Sequence, residues 1–100
     1  MGYVRRDGIK AFATPEGGFE VRVSIRGRTY SRLIPPHGFV TQAEAAVIVQ
    51  PPVSRVAVFQ WIRSGKLKDD RLNGVSMIRL SRLRRFAAET GRTLVGPAQL

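Results

Sequence analysis

Residues 53–67, VSRVAVFQWIRSGKL, constrain the fold more than any other stretch, because they encode a short helix with two unlike faces. Ser54 is placed to cap it, since its side-chain oxygen can accept from one of the first backbone N–H groups that a helix leaves unpaired. Gly65 is placed to end it, as many helices close on a residue that adopts positive φ. Between them Ala57, Val58, Trp61 and Ile62 recur at three- and four-residue spacing and form an apolar stripe. Arg55, Val56, Phe59, Gln60 and Arg63 fall on the other side, a surface with two guanidinium groups and an amide but no acid. The stripe requires a core to cover it. The opposite face suits the edge of a nucleic acid.

The charge of the whole chain points the same way. Seventeen Lys and Arg against seven Asp and Glu give +10 over 100 residues, a balance that favours polyanionic partners at long range. Arginine supplies 14 of those cations, and its planar fork matches phosphate and guanine edges better than a lysine point charge does. A hydrophobic fraction of 43% is enough for one modest core and argues against wholesale disorder. There is no apolar run of about 18 residues to span a bilayer, and the opening MGYVRRDGIK has no hydrophobic signal-peptide core behind its charges. Without cysteine there are no disulfides or thiolate metal sites, which fits a cytoplasmic setting.

Enzymatic chemistry finds little to work with. His37 is the sole histidine and has no paired carboxylates nearby, so neither a metal centre nor a catalytic triad is expected. Asp69 and Asp70 are neighbours on an expected strand and point to opposite faces, so they do not form an acid–base pair. No Gly-rich phosphate loop follows a strand. Neither an enzyme nor a cofactor is expected.

In chain order, Ile9–Ala13 and Phe19–Ile25 read as strands separated by the turn cluster Thr14-Pro15-Glu16-Gly17-Gly18. In FEVRVSI, Phe19, Val21, Val23 and Ile25 alternate with Glu20, Arg22 and Ser24, the pattern of a sheet with one dry face. Arg26-Gly27 then turns the chain into a third strand, with Tyr30 opposite Val23. A three-stranded antiparallel meander is expected over residues 1–34. Residues 35–40, with Pro35-Pro36, read as a linker, because proline forbids helix and cannot donate to a ladder.

Thr41-Gln42-Ala43-Glu44 is a capping box, with Val40 and Ala45 spaced as a hydrophobic staple. A helix to about Val49 follows and Gln50-Pro51-Pro52 stops it. Two short helices joined by a tight turn, the second with a basic outward face, describe a helix-turn-helix. Residues 67–80 then hold Asn73-Gly74, the strongest two-residue signal for a type I′ hairpin, which predicts a wing. Ser81 is placed to cap a third helix ended by Gly91, with Leu83, Phe86 and Ala87 on its inner face. The sequence predicts an α+β chain: a meander, a winged helix-turn-helix over residues 41–91, and a mobile tail over residues 92–100.

Several residues in this region carry a family likeness. Residues 41–86, a little under half the chain, resemble the excisionase-type branch of the MerR-like winged helix-turn-helix domains. The likeness rests on Glu44-Ala45-Ala46, Val53-Ser54, Phe59-Gln60-Trp61-Ile62, Ser64-Gly65-Lys66-Leu67, the Asn73-Gly74 turn, Ile78-Arg79 and Ser81-Arg82-Leu83. It departs at the inter-helix turn, usually a single Gly and here Gln50-Pro51-Pro52, and at Asp69-Asp70. The resemblance implies a small phage or mobile-element regulator that acts in transcription or recombination. It also implies a monomer or weakly associating chain that assembles on DNA. The meander is faintly similar to the three-stranded arm-binding domains of tyrosine recombinases.

The expected activity is sequence-selective binding of double-stranded DNA. Arg55, Gln60 and Arg63 are the base-edge candidates, because Arg pairs with guanine and Gln with adenine in the major groove. Phe59 is placed to touch a thymine methyl, and Lys66 follows just past the helix end. Arg71, Ser76 and Arg79, the Asn73-Gly74 backbone, and Arg82 and Arg85 are the phosphate or minor-groove candidates. A different reading makes the chain a protein-binding phage factor that docks on RNA polymerase or a recombinase, with Val56 and Phe59 as contacts.

Overall fold

The alternation in the first third of the chain produces the sheet it predicts. In the computed structural model, which describes residues 8–98, β1 (Ile9–Ala13), β2 (Phe19–Ile25) and β3 (Arg28–Ile34) form an antiparallel meander in that order. Phe19 lies opposite Ile34 and Val23 opposite Tyr30. The β2–β3 turn runs through Arg26 and Gly27, both at positive φ (50° and 79°), as a two-residue hairpin turn requires. Residues 1–7 of the expected meander lie outside the described residues. The dry face is covered at one end only: Phe19, Val21, Ala11 and Ile34 are buried, whereas Ile25 and Tyr30 are each 52% exposed.

Residues 35–40 are not a linker. The turn is confined to Pro35-Pro36-His37-Gly38, closed by the Gly38 N–H donating to the Pro35 carbonyl at 2.9 Å. Phe39 already begins β4 (Phe39–Thr41). Val40 is fully buried, and burying its backbone demands ladder partners. β7 (Val75–Arg79) supplies them: Phe39 faces Arg79 and Val40 faces Ile78. With β6 (Asp70–Leu72) these strands form a second sheet in the order β4-β7-β6. The β6–β7 turn is Asn73-Gly74, at φ 53° and 78°.

Three helices of the described residues lie among these sheets. α1 (Gln42–Ile48) starts on the expected capping box, Thr41 Oγ1 accepting from the Glu44 N–H at 3.1 Å and Glu44 Oε1 accepting from the Thr41 N–H at 2.8 Å. α2 (Arg55–Arg63) follows a turn in which the Val53 N–H donates to the Ala46 carbonyl. α3 (Leu80–Glu89) starts one residue before the expected Ser81 cap, with Arg79 at the cap position and no side chain bonding there. The reason is local. Arg79 is held in the ladder by Phe39, and the Leu80 N–H donates to the Gly38 carbonyl at 3.0 Å while its side chain is fully buried.

The tail also differs from expectation. Thr93–Leu94 forms β8, paired with β5 (Val49–Gln50), the Val95 N–H donates to the Ile48 carbonyl at 2.8 Å, and the Ala13 N–H donates to the Gly96 carbonyl at 2.9 Å. The tail is ordered by need. α1 ends with carbonyls that lack helical partners, and Leu94 and Val95 pack on the core. Residues 99 and 100 of the expected tail lie outside the described residues.

One core unites what the sequence divides. Phe19, Val21 and Ile34 of the meander belong to the same buried cluster as Val40, Ile48, Val58, Ile78, Leu80 and Leu83. A three-stranded meander with one apolar face needs such a cover, and here the helices provide it.

A polar knot fixes the join. Arg32 on β3 donates to both Glu44 oxygens, at 2.8 and 2.7 Å, and to the Phe39 carbonyl at 2.8 Å. Burial alone would raise the Glu44 pKa, but the Arg32 fork and the Thr41 N–H outweigh it and hold the carboxyl below its ordinary value. A carboxylate with a depressed folded pKa contributes stability that is complete above the unfolded value and lost as pH falls through the folded one. Stability should therefore fall as the pH drops below about 4.5, the ordinary value. Glu44→Gln should flatten that fall and cost about 1 kcal/mol at neutral pH, a figure discounted because Arg32 is half exposed. Urea melts of both proteins at several pH values check this; parallel pH profiles would contradict it.

Candidate nucleic-acid interface

α2 is nine residues long, too short to persist alone in water, so its two ends and inner face must be held. At its start Ser54 Oγ accepts from the Ala57 N–H at 3.1 Å. At its end the Gly65 N–H donates to the Ile62 carbonyl at 3.1 Å and the Lys66 N–H to the Trp61 carbonyl at 2.9 Å, with Gly65 at φ 84°. These are the two bonds of a Schellman cap, and they need a residue that tolerates positive φ. The inner stripe turns inward: Val58 is fully buried, Trp61 and Ile62 pack partly buried against the core, and Ala57 is partly buried. Trp61 stacks at a tilt on Phe86 of α3, with ring centroids 4.7 Å apart.

Fixing that stripe turns the other face outward. Arg55, Val56, Phe59, Gln60 and Arg63 are all exposed, Val56 at 61% and Phe59 at 47%. No hydrogen bond or ion pair with another described residue engages the side chains of Arg55, Gln60 or Arg63. Two cations and an amide therefore stand together on one rigid element, available to a partner.

Beyond α2 the candidates separate into available and committed groups. Lys66 and Arg85 line a shallow cleft of about 250 Å³ with Lys68, Arg82 and Glu89, between the end of α2 and α3. Four cations and one acid make this cleft strongly electropositive. Lys68 has no distinguishing signal in the sequence, because nothing in its spacing shows that α3 passes beside it. Arg82 is less available than expected: it pairs with Asp70 at 3.3 Å, both side chains about one-third exposed. That ion pair crosses from β6 to α3 and has no periodic signature.

The hairpin candidates are mostly tied to the protein. The Arg71 guanidinium donates to the Gly74 carbonyl at 3.0 Å, clasping its own turn. Ser76 donates to Asp69 Oδ2 at 2.5 Å and accepts from Gln42 Nε2 at 3.0 Å, so its hydroxyl is spent on joining the hairpin to α1. Ser76 as a phosphate contact is thus disfavoured. Asn73 and Gly74 are exposed at the tip, and Arg79 is exposed with its guanidinium 4.8 Å from the Phe39 ring centre. Val75 adds an apolar group at the tip, 51% exposed.

One neighbour of Trp61 has no signature in the sequence. Arg92, in the tail, lays its guanidinium 4.9 Å from the Trp61 ring centre, and its Nε is buried with no hydrogen-bond partner. The cation–π contact compensates part of that desolvation and closes the outer side of Trp61. Among the described residues no group of three or more His, Cys, Asp or Glu could hold a metal ion, and no helix is long and apolar enough to cross a membrane.

Comparison with known proteins adds no relative: no family model, curated protein or solved structure matches the chain.

Because α2 rests on Trp61, Trp61→Ala should cost about 3 kcal/mol, the lower end of the range for truncating a large core aromatic, since the ring is only partly buried. A thermal melt measures it. A transition that scarcely moves would mean that the Phe86 and Arg92 contacts do not hold the helix.

Proposed function

We propose that this protein binds double-stranded DNA with sequence selectivity, as a small regulator of excisionase type. In this reading α1, the Gln50-Pro51-Pro52 turn and α2 act as a helix-turn-helix, with the β6–β7 hairpin as its wing. α2 enters the major groove, where Arg55 and Arg63 address guanine, Gln60 addresses adenine and Phe59 lies against a thymine methyl. The cleft of Lys66, Lys68 and Arg85 takes backbone phosphate and sets the register. Arg79 and the Asn73-Gly74 tip make the hairpin contribution, with Arg71 and Arg82 secondary because each already has a partner.

The observation that carries the reading is the face of α2: five exposed side chains, two of them cationic and none acidic, on a helix anchored from behind. The net charge of +10 supports it. So does the concentration of cations after α2, where residues 65–100 hold eight basic and three acidic groups. The exposed apolar pair Val56 and Phe59 favours a second reading, docking on RNA polymerase or a recombinase through the same face.

Base readout and phosphate contact respond differently to mutation. Gln60→Ala and Arg63→Ala should each cost about 1 to 3 kcal/mol on the preferred duplex and relax preference at defined base pairs. Arg85→Ala should weaken all sequences alike and lower the salt slope by about 1, since each neutralised phosphate contributes roughly 0.9. Arg82→Ala should lower it by less, because Asp70 shares its charge. Fluorescence anisotropy with preferred and scrambled duplexes at several salt concentrations measures all four. Unchanged preference in both α2 variants would remove α2 from the groove, and binding indifferent to salt would favour the protein-docking reading.

A further inference from the structure

β1 is an edge strand. Along Ile9–Phe12 it pairs with β2 alone among the described residues, and its other side borders an open groove of about 830 Å³. Four consecutive residues, Ile9, Lys10, Ala11 and Phe12, line that groove. Successive side chains of a strand point to opposite faces, so four in a row can line one groove only if the backbone edge itself faces it. The far wall is apolar, formed by Ala43, Ala46 and Val47 of α1 with Val53 and Val95.

The chain shows what this edge accepts. At Ala13 the outward N–H donates to the Gly96 carbonyl at 2.9 Å, and Ala13 bridges to Pro97 in parallel. Outward groups recur every second residue, so the N–H and C=O of Ile9 and Ala11 face the same way as those of Ala13. No backbone hydrogen bond between described residues engages them on that side. The edge is thus closed by the chain's own tail at one end and available along the groove.

We infer that the β1 edge and the apolar wall of α1 form a docking groove for an extended, acidic-apolar segment of a partner protein, which adds to the meander as a fourth strand. Backbone bonds to Ile9 and Ala11 hold the segment, alternate apolar side chains pack on Ala46, Val47 and Val95, and the intervening acids face Lys10 and Arg55. Charge selects this occupant. Lys10 and Arg55 are both exposed, and no Asp or Glu lines the groove. A second copy would bring up another chain of net charge +10, which opposes self-pairing. A nucleic acid would leave the apolar wall unsatisfied. This groove is separate from the outward face of α2, with Arg55 alone shared, so it stands whether or not α2 binds DNA.

The test uses the full chain and two synthetic ten-residue peptides, one alternating Val or Ile with Glu or Asp, the other carrying Lys in place of the acids. The acidic peptide should bind and the basic one should not. Its binding should slow hydrogen exchange at the Ile9 and Ala11 amides and shift the Ala43 and Val47 resonances. Lys10→Glu should weaken it about three- to fivefold, as for one exposed ion pair. Ile9→Pro, which removes one outward donor at the strand's first residue, should abolish slow exchange at the Ala11 amide. Lys10→Glu, at an exposed side chain, should keep the parent's thermal melt. Ile9→Pro should lower it, because Ile9 packs on the core, and is read at a temperature where the variant stays folded. Equal binding of the two peptides would overturn the proposal. So would Ile9 and Ala11 amides already protected in the peptide-free protein, or protection that grows with protein concentration, the mark of self-pairing.

Discussion

The architecture depends on covering one apolar stripe. Val58, Trp61 and Ile62 project from a helix of nine residues, which has neither the length nor the intrinsic propensity to exist unsupported. α3 answers with Phe86 and the tail with Arg92, while the core receives Val58. Capping at Ser54 and Gly65 satisfies the helix ends, so the only freedom left to α2 is rotation about its axis, and burial of the stripe removes that. The outward direction of Arg55, Gln60 and Arg63 is therefore a packing result. The candidate interface needs no residue whose only purpose is to aim it.

The meander is integral to that packing, because its inner end shares the core and Arg32 ties β3 to the start of α1. The Glu44 carboxylate serves two purposes there. It completes the capping box of α1 and receives the Arg32 fork, so helix initiation and sheet attachment are one electrostatic event. Only the inner end of the sheet is used in this way. The outer end, with Ile25 and Tyr30 exposed, is left uncovered by the described residues, and the β1 edge is met by the tail at Ala13 alone.

What the sequence makes legible follows from the range of the forces. The α2 caps, the Thr41–Glu44 box, the Asn73-Gly74 turn and the alternation of FEVRVSI are interactions within about four residues, and each forms as the pattern requires. β4, β5 and β8 are only two or three residues long, too short for any period to register, and they exist because buried backbone at Val40 and Val49 must find partners. The same limit hid the fate of the cations. Nothing local tells that Arg82 meets Asp70, that Arg92 covers Trp61, or that Lys68 joins Arg85 in a cleft. Arg71 and Ser76 look as available in the sequence as Arg63 does, and only the fold shows that the first two are spoken for.

The central claim is that a rigid, cationic helix face reads base pairs, and selection of bound duplexes from a random DNA pool tests it most directly. The account predicts a short enriched motif, whose affinity falls steeply as salt rises from about 50 to 200 mM because counterions are released on binding. A pool that stays random after repeated rounds, with retention insensitive to salt, would contradict it.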